Sequence, residues 1–241
     1  FDFVLNRLLA GVEVISNDIA GMGVGGLLME IGSRPQPRIP SGKSEQKIAT
    51  LVLAGGQSRR MGATNKLTTQ INGAAMVRKP VEASIQAGIA DVTVVTGHDR
   101  DTIQNVLKDL VDRFEHNPDF ADGLSTSLKK GIGSLDSDFS HALILLGDMP
   151  EITSEMIKVL VSTVNDSPEN SIIVATNHGK RGNPVIWPRA YFEELCSISG
   201  DTGARHLIGQ YGEQVVEVEI GEAASLDIDT PQALADYKKK T

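Results

Sequence analysis

Two short runs, IATLVLA at 48–54 and HALILLG at 141–147, carry almost no polar residues. A strand with one face in water alternates apolar and polar side chains; a strand that does not is buried on both faces. These runs therefore demand a sheet with helices on either side. The rest of the chain can supply them. Further strand-like runs, DVTVVTG (91–97), SIIVATN (171–177) and QVVEVEI (214–220), alternate with helical patterns near 74–87, 100–111, 124–132, 153–165, 189–196, 201–210 and 231–239. Strands and helices in alternation predict an α/β, three-layer, Rossmann-like fold with a mostly parallel central sheet.

The first 47 residues read differently. FDFVLNRLLAGV (1–12) sets Phe1, Val4, Leu5, Leu8 and Leu9 at helical spacing, and Gly11 can end that helix. Glycines and the prolines at 35, 37 and 40 then break regular structure, so 33–47 reads as a linker. The expected division is 1–47 and 48–241. A chain that opens at Phe1 inside a helical pattern reads as a piece of a longer polypeptide. A domain of the size of 48–241 buries roughly 70 % of the surface its unfolded chain exposes, enough for a proper core.

Composition excludes some functions. The net charge of −8 speaks against a general nucleic-acid binder, which needs a basic face. It leaves room for a small anion in a local basic pocket. The single cysteine, Cys196, rules out an intrachain disulfide and a cysteine-rich metal site, and it fits a reducing, cytoplasmic setting. Cys196 itself reads as an inert helix residue. No apolar run approaches the ~18 residues of a membrane span, and no signal-peptide pattern opens the chain. A membrane partner is not expected.

The most informative stretch is GGQSRRMG (55–62), directly after the first buried run. Ligands in open α/β sheets bind beyond the carboxyl ends of strands. Glycines let backbone N–H groups approach phosphate oxygens, and Arg59, Arg60 and Lys66 add positive charge. Gly62 is followed by Ala63, so the loop is not a Walker A loop, and Gly55-Gly56-Gln57-Ser58 breaks the dinucleotide fingerprint. The plain alternative is a strand-to-helix turn with solvated charges.

Acidic residues follow at other strand ends. HALILLGDMP ends in Gly147-Asp148-Met149-Pro150, where Asp148 would share the crevice with the glycine loop. One or two carboxylates with substrate phosphates is the usual way to hold Mg²⁺. Asp148 could instead cap the helix near Thr153, but Thr153 is itself an N-cap residue, with Met156 where a capping box would put Glu. In Asp227-Ile228-Asp229-Thr230-Pro231, Thr230 or Asp229 can cap the last helix, with Pro231 in its first turn. One aspartate could then reach the metal, and Asp229 is the preferred candidate.

Taken in order, LAGGQSRRMGATNK, NPDFADGLSTSL (117–128), LLGDMP, RGNPV (181–185), GDTGARHLI (200–208) and LDIDTP (226–231) resemble the MobA-like molybdenum cofactor nucleotidyltransferases, and most of all their cytidylyltransferase branch. The resemblance covers about 48–240. It implies a nucleotidyltransferase fold and transfer of a nucleoside monophosphate from an NTP to the phosphate of a molybdopterin-type cofactor, with release of pyrophosphate. It implies that Leu53, Ala54, Gly55, Gly56, Ser58, Arg59, Gly62 and Lys66 bind the nucleotide, its triphosphate above all, and that Asn117, Gly123, Ser125 and Ser127 lie near base and ribose. Asp148 and Asp229 would hold Mg²⁺; Lys66, Arg59 and Asp148 would carry catalysis. Arg181, Asn183, Pro184, Asp201, Gly203 and Arg205 would face the acceptor. The implied ligands are CTP or GTP and molybdenum cofactor, with a molybdoenzyme or its chaperone as recipient.

Two departures bear on specificity. The cytidylyl branch prefers A-A-G where this chain has Ala54-Gly55-Gly56, as in the guanylyl branch; NPDFADGLSTSL and GDTGARHLI look cytidylyl, so CTP is favoured. Asn183 stands where the family often has His. A shorter likeness, DIAGMGVGGLLMEIGSRPQPR (18–38), resembles the end of a molybdopterin-binding domain fused ahead of such transferases. The other readings kept open are a sugar- or alditol-phosphate nucleotidyltransferase and a non-catalytic carrier of the cofactor. His98, His116, His141, His178 and His206 show no metal-ligand spacing. Trp187 and Phe192 read as packing residues, and the lysines at 238–240 as a solvated helix end.

Overall fold

The structure, a computed structural model, describes residues 46–58, 65–199, 204–226 and 228–240. The chain divides into Phe1–Ser41 and Gly42–Thr241, and every described residue belongs to the second unit. The helix expected over 1–12 and nearly all of the linker lie outside the described residues.

The strands in chain order are β1 (Ile48–Ala54), β2 (Gln70–Ile71), β3 (Ala74–Ala75), β4 (Val92–Thr96), β5 (Arg113–His116), β6 (His141–Leu146), β7 (Ile172–Asn177), β8 (Lys180–Pro188) and β9 (Val215–Glu219). The helices are α1 (Arg78–Gln86), α2 (Arg100–Leu107), α3 (Leu124–Gly133), α4 (Ser154–Asp166), α5 (Phe192–Ser197), α6 (Arg205–Gln210) and α7 (Pro231–Lys240). Seven strands form one sheet in the order β5-β4-β1-β6-β8-β7-β9; β2 and β3 form a separate hairpin. All pairings in the large sheet are parallel except those of β8, which runs antiparallel to both β6 and β7.

The two unbroken apolar runs are adjacent central strands, β1 and β6. Alternation within β1 divides its side chains between two cores. Val52 and Ala54 pack with residues of α1, α2 and α4, among them Val81, Ile103 and Leu160. Leu51 and Leu53 pack on the opposite face with α3, α5 and α6 residues such as Leu128, Leu195 and Leu207. Helices on both faces of the sheet make the three layers. A third, smaller cluster of Ile71, Met76 and Ile228 seats α7 on the β2–β3 hairpin through Leu234 and Tyr237.

Several boundaries differ from the sequence reading. The helix expected from 74 begins at Arg78, because Ala74 and Ala75 pair with Ile71 and Gln70 across the Asn72-Gly73 turn, where both residues have positive φ. The helix expected over 189–196 begins as a 3₁₀ turn at Arg189–Tyr191. β5 and β8 were not anticipated. β5 is four half-buried residues, RFEH, with no apolar period. β8 contains Gly182, Asn183 and Pro184, which read locally as a turn. Thr153 does cap α4, accepting a hydrogen bond from the Met156 N–H at 3.3 Å.

Adjacent residues on α4 give a clean test of the layer assignment. Leu160 is fully buried under the sheet and Val159 is half exposed. Leu160→Ala should cost about 2–5 kcal/mol of unfolding free energy. Val159→Ala should stay within about 0.5 kcal/mol. Urea unfolding with an unchanged m-value reads both.

Candidate active site

The three central parallel strands end level with one another. Ala54 is opposite Thr96, and Leu53 is opposite Leu146. Each is followed at once by a glycine: Gly55, Gly97 and Gly147. At Gly97 the approach of the backbones requires this, and at the other two a side chain would be crowded. A Cβ on Gly97 would lie 2.5 Å from the Gly55 carbonyl oxygen and 2.8 Å from Gly55 Cα. One on Gly55 would lie 2.9 Å from Ser127 Oγ, and one on Gly147 3.3 Å from the Leu53 carbonyl oxygen. The loops leaving β1, β4 and β6 therefore converge on one opening.

That opening is a cavity of about 440 Å³ lined by Leu53, Gly55, Gly56, Gln57, Ser58, Lys66, Leu67, Phe120, Ala121, Gly123, Leu124, Ser127, Leu146, Asp148 and Asp229. Most of the nucleotide residues expected from sequence are here. Ser58, at φ +49°, accepts a hydrogen bond from the Lys66 backbone N–H at 3.3 Å and so ties the two described ends of the basic loop together. Arg59 and Gly62 lie outside the described residues. Ala54 is buried at the end of β1, behind the lining.

Lys66 opens a 3₁₀ turn, Lys66–Thr68, capped by Asn65, whose Oδ1 accepts from the Leu67 N–H at 2.9 Å. Asn65 Nδ2 donates to Asp99 Oδ2 at 2.7 Å, which fixes the turn to the segment before α2. So held, the ammonium sits 2.5 Å from Asp148 Oδ2 and also pairs with Asp229 Oδ1. Its side chain is only 12 % exposed. Burial alone would lower the Lys66 pKa; the charges and hydrogen bonds of Asp148 and Asp229 outweigh that and hold it above its ordinary value.

Threonines accept at the starts of the two neighbouring helices. Thr153 caps α4 in place of Asp148. Thr230 accepts from the Ala233 N–H at 3.1 Å at the start of α7, leaving Asp229 to face Lys66. Buried Ile228 anchors the segment beside Ile71 and Met76, and the Tyr237 hydroxyl donates to Glu151, three residues beyond Asp148. Asp227 lies outside the described residues. Two carboxylates facing one cavity match the donor set that usually shares Mg²⁺ with phosphate oxygens. No cluster of three or more His, Cys, Asp or Glu suited to a metal occurs among the described residues.

Asn117 and Ser125 are not part of the lining. Asn117 is 2 % exposed, and its Nδ2 donates to Thr126 Oγ1 at 2.8 Å and Ser127 Oγ at 3.0 Å while its Oδ1 accepts from the Asp119 N–H. It fixes Ser127 and the start of α3, whereas Gly123 (φ +108°) and Ser127 line the cavity. Sequence reasoning missed Phe120, whose ring lies 5.7 Å from that of His98. Its signal was the one aromatic residue inside NPDFADG.

A second cavity of about 1000 Å³ shares Leu53, Leu124 and Leu146 with the first. Its apolar wall includes Leu128, Ile144, Val185, Trp187 and Ile208; Lys180, Arg181, Asn183, Arg205 and Glu217 supply polar groups. Arg181 Nε donates to Glu217 Oε1 at 2.7 Å. Gly182 is needed because a Cβ there would lie 2.0 Å from the Ala224 carbonyl oxygen. Pro184 is buried within β8 after a cis peptide, outside the lining. Asp201 and Gly203 lie outside the described residues. Glu217 was not foreseen, and Trp187, read as packing, lines this cavity as well. Cys196 is partly buried, and burial raises its pKa, which keeps the thiol protonated.

The turn that presents Lys180 and Arg181 hangs on Glu219. Its carboxylate accepts from the His178 and Gly221 N–H groups at 3.0 Å, Gly179 N–H at 3.2 Å and Thr176 Oγ1 at 2.9 Å. The His178 bond leads in holding its pKa at about 2, with Thr176, Gly179 and Gly221 adding to it against partial desolvation. A depressed carboxyl pKa stabilises the fold above the unfolded value and loses that stabilisation as pH falls toward the folded one. The stability difference between wild type and Glu219→Gln, measured by urea unfolding, should therefore be steady above about pH 5 and shrink between there and pH 2. Gly97→Ala, which presses on backbone rather than a flexible side chain, should cost about 1–3 kcal/mol by the same measurement.

Comparison with known proteins accords with this geometry. The profile of the MobA-like NTP transferase domain matches residues 50–215. The molybdenum cofactor cytidylyltransferase of Escherichia coli K12 is 26 % identical over 202 residues, 80 % of this chain and 96 % of that protein. The molybdenum cofactor guanylyltransferase of Vibrio atlanticus LGP32 is 23 % identical over 192 residues, 78 % and 93 % respectively. In fold, the chain is similar to Rv0371c from Mycobacterium tuberculosis H37Rv, with TM-score 0.70 and 21 % identity, over 81 % of this chain and 99 % of that one. A manganese complex of Rv0371c gives TM-score 0.68 at 20 % identity, over 81 % and 100 %. No helix among the described residues is long and apolar enough to cross a membrane.

Proposed function

The chain belongs to the MobA-like NTP transferase family, and within it we propose that it moves CMP from CTP to the phosphate of molybdenum cofactor and releases pyrophosphate. The observation that carries the reading is the pair of abutting cavities: one holds the glycine loop, Lys66, Asp148 and Asp229, and the other combines an apolar wall with Arg181 and Arg205. A triphosphate suits the first. A ring system bearing a phosphate suits the second, with the rings on the Trp187 and Ile208 side and the phosphate toward the cationic groups. The shared residues Leu53, Leu124 and Leu146 are where the two substrates would meet.

Such a transfer needs little covalent chemistry from the protein. The acceptor phosphate is ionised at neutral pH and attacks the α-phosphorus directly. One P–O bond forms to the acceptor as the bond to pyrophosphate breaks, and no general base is needed. The loop N–H groups and Lys66 hold the triphosphate and offset charge gathering on the leaving group. Asp148 and Asp229 would hold a divalent cation, which supplies further neutralisation of the phosphate oxygens.

Guanylyl transfer from GTP to the same acceptor is the second reading, and Gly55 favours it. The A-A-G loop associated with cytidylyl transfer would place a methyl 2.9 Å from Ser127 Oγ in this chain.

Purified protein with Mg²⁺, molybdenum cofactor and each of CTP, GTP, ATP and UTP in turn, followed by pyrophosphate release, decides. Cofactor-dependent release with CTP alone is the expected outcome. Release with GTP transfers the assignment to the second reading, and no release with any nucleotide refutes both. Lys66→Ala and Asp148→Ala, each still folded, should lower turnover by about 100-fold or more.

A further inference from the structure

We propose that the Lys66 ammonium occupies the cation position between Asp148 and Asp229 while no nucleotide is bound, so that the divalent-cation site comes into being only when a triphosphate draws Lys66 away. The inference rests on the reading of Asp148 and Asp229 as cation ligands.

The geometry leaves little choice. The ammonium is 2.5 Å from one carboxylate and in contact with the other, with 12 % of its side chain exposed. A divalent ion binding the same oxygens would stand a few ångströms from a positive charge in a partly desolvated site, where repulsion is several times stronger than in bulk water. One of the two cations must leave. Lys66 has somewhere to go: its side chain lines the same cavity as Gly55, Gly56, Gln57 and Ser58, so a triphosphate seated on that loop offers new anionic partners within the same cavity. Its backbone stays anchored by Asn65 and Ser58, so the move is a side-chain rotation and leaves the fold unchanged.

The charge count favours the exchange only when nucleotide is present. Without it, the Lys66 ammonium offsets the mutual repulsion of Asp148 and Asp229, and its departure would restore that repulsion. With it, the triphosphate takes the ammonium and the freed carboxylates require a new cation. Nucleotide and metal affinity are then coupled through one side chain, and coupling of this kind is reciprocal.

The test is Mn²⁺ binding followed by electron paramagnetic resonance, without nucleotide and with the α,β-methylene analogue of CTP or of GTP. Wild type should bind Mn²⁺ weakly alone and more tightly with an analogue. Lys66→Met should bind it about tenfold or more tightly than wild type without nucleotide, and should gain less than wild type on adding the analogue. Lys66→Gln repeats the test with a polar side chain. Lys66→Arg, which keeps the charge, and Lys108→Met, which removes an exposed charge elsewhere, should both match wild type. Lys66→Met within about twofold of wild type, or the same gain in Lys108→Met, overturns the proposal while leaving the cation site standing. Failure of every protein to bind Mn²⁺, even with the analogues, refutes the cation site itself and the proposal with it.

Discussion

The constraint behind this structure is the enclosure of β1 from Ala49 to Ala54. It has parallel partners on both edges, β4 and β6, and helices against both faces. No side chain on it can carry chemistry into solvent. Function is pushed to the one place where the strand stops. Because the three central strands stop in register, their exits crowd together, and only glycine fits at Gly97, where it meets the Gly55 backbone. The opening that remains is lined by Gly55, Gly56, Gln57 and Ser58 of the basic loop, and glycine-bearing loops of this kind suit phosphate. The place of this opening follows from the burial of the strand before it.

How much of this was legible in the sequence depended on whether its cause was local. β1 and β6 were readable because burial on both faces leaves its own composition. The capping of α4 was readable because Thr153 and Met156 are three residues apart. The pairing of Lys66 with Asp148 and Asp229 was not, since those residues are separated by long stretches of chain; each appeared only as a motif member with its own role. β8 was hidden because Gly182, Asn183 and Pro184 look like a turn. They form an irregular stretch between the parts of β8 that are laddered, Lys180–Arg181 to β7 and Val185–Pro188 to β6, and the glycine answers a carbonyl of Ala224, far along the chain. Asn117 shows a different limit. The motif places it near base and ribose, while in the structure its hydrogen bonds hold Ser127 and the start of α3.

In the first cavity one ammonium answers two carboxylates. An ammonium so close to two carboxylates is well satisfied, and its raised pKa shows that attraction exceeds the cost of burial. Stability of that kind works against the reaction unless substrate offers a better arrangement. A triphosphate carries more negative charge than the two carboxylates and is cradled by donors that cannot themselves neutralise it. Under the proposed reading, these ion pairs would set a threshold that a highly charged ligand crosses more readily than a less charged one.

The second cavity explains why the sheet reverses direction at β8. In an all-parallel sheet, only residues beyond the carboxyl ends of strands reach the ligand edge. Because β8 runs antiparallel to β6, with Ile144 opposite Val185 and His141 opposite Pro188, it is the amino-terminal part of β8 that lies at that edge. Lys180, Arg181 and Asn183 thereby join Asp148 on the same side of the sheet while remaining part of a strand. β9, parallel to β7, brings Glu217 to the same edge and against Arg181. Lys180 and Arg181 pair with β7, and a strand backbone holds side chains more rigidly than a loop does. The two cavities thus differ in construction. The first is built from converging loops around Lys66, the second largely from residues of strands and of α6. Under the proposed transfer, Lys66 would be the element that follows the charge, and the residues of the second cavity those that position the acceptor.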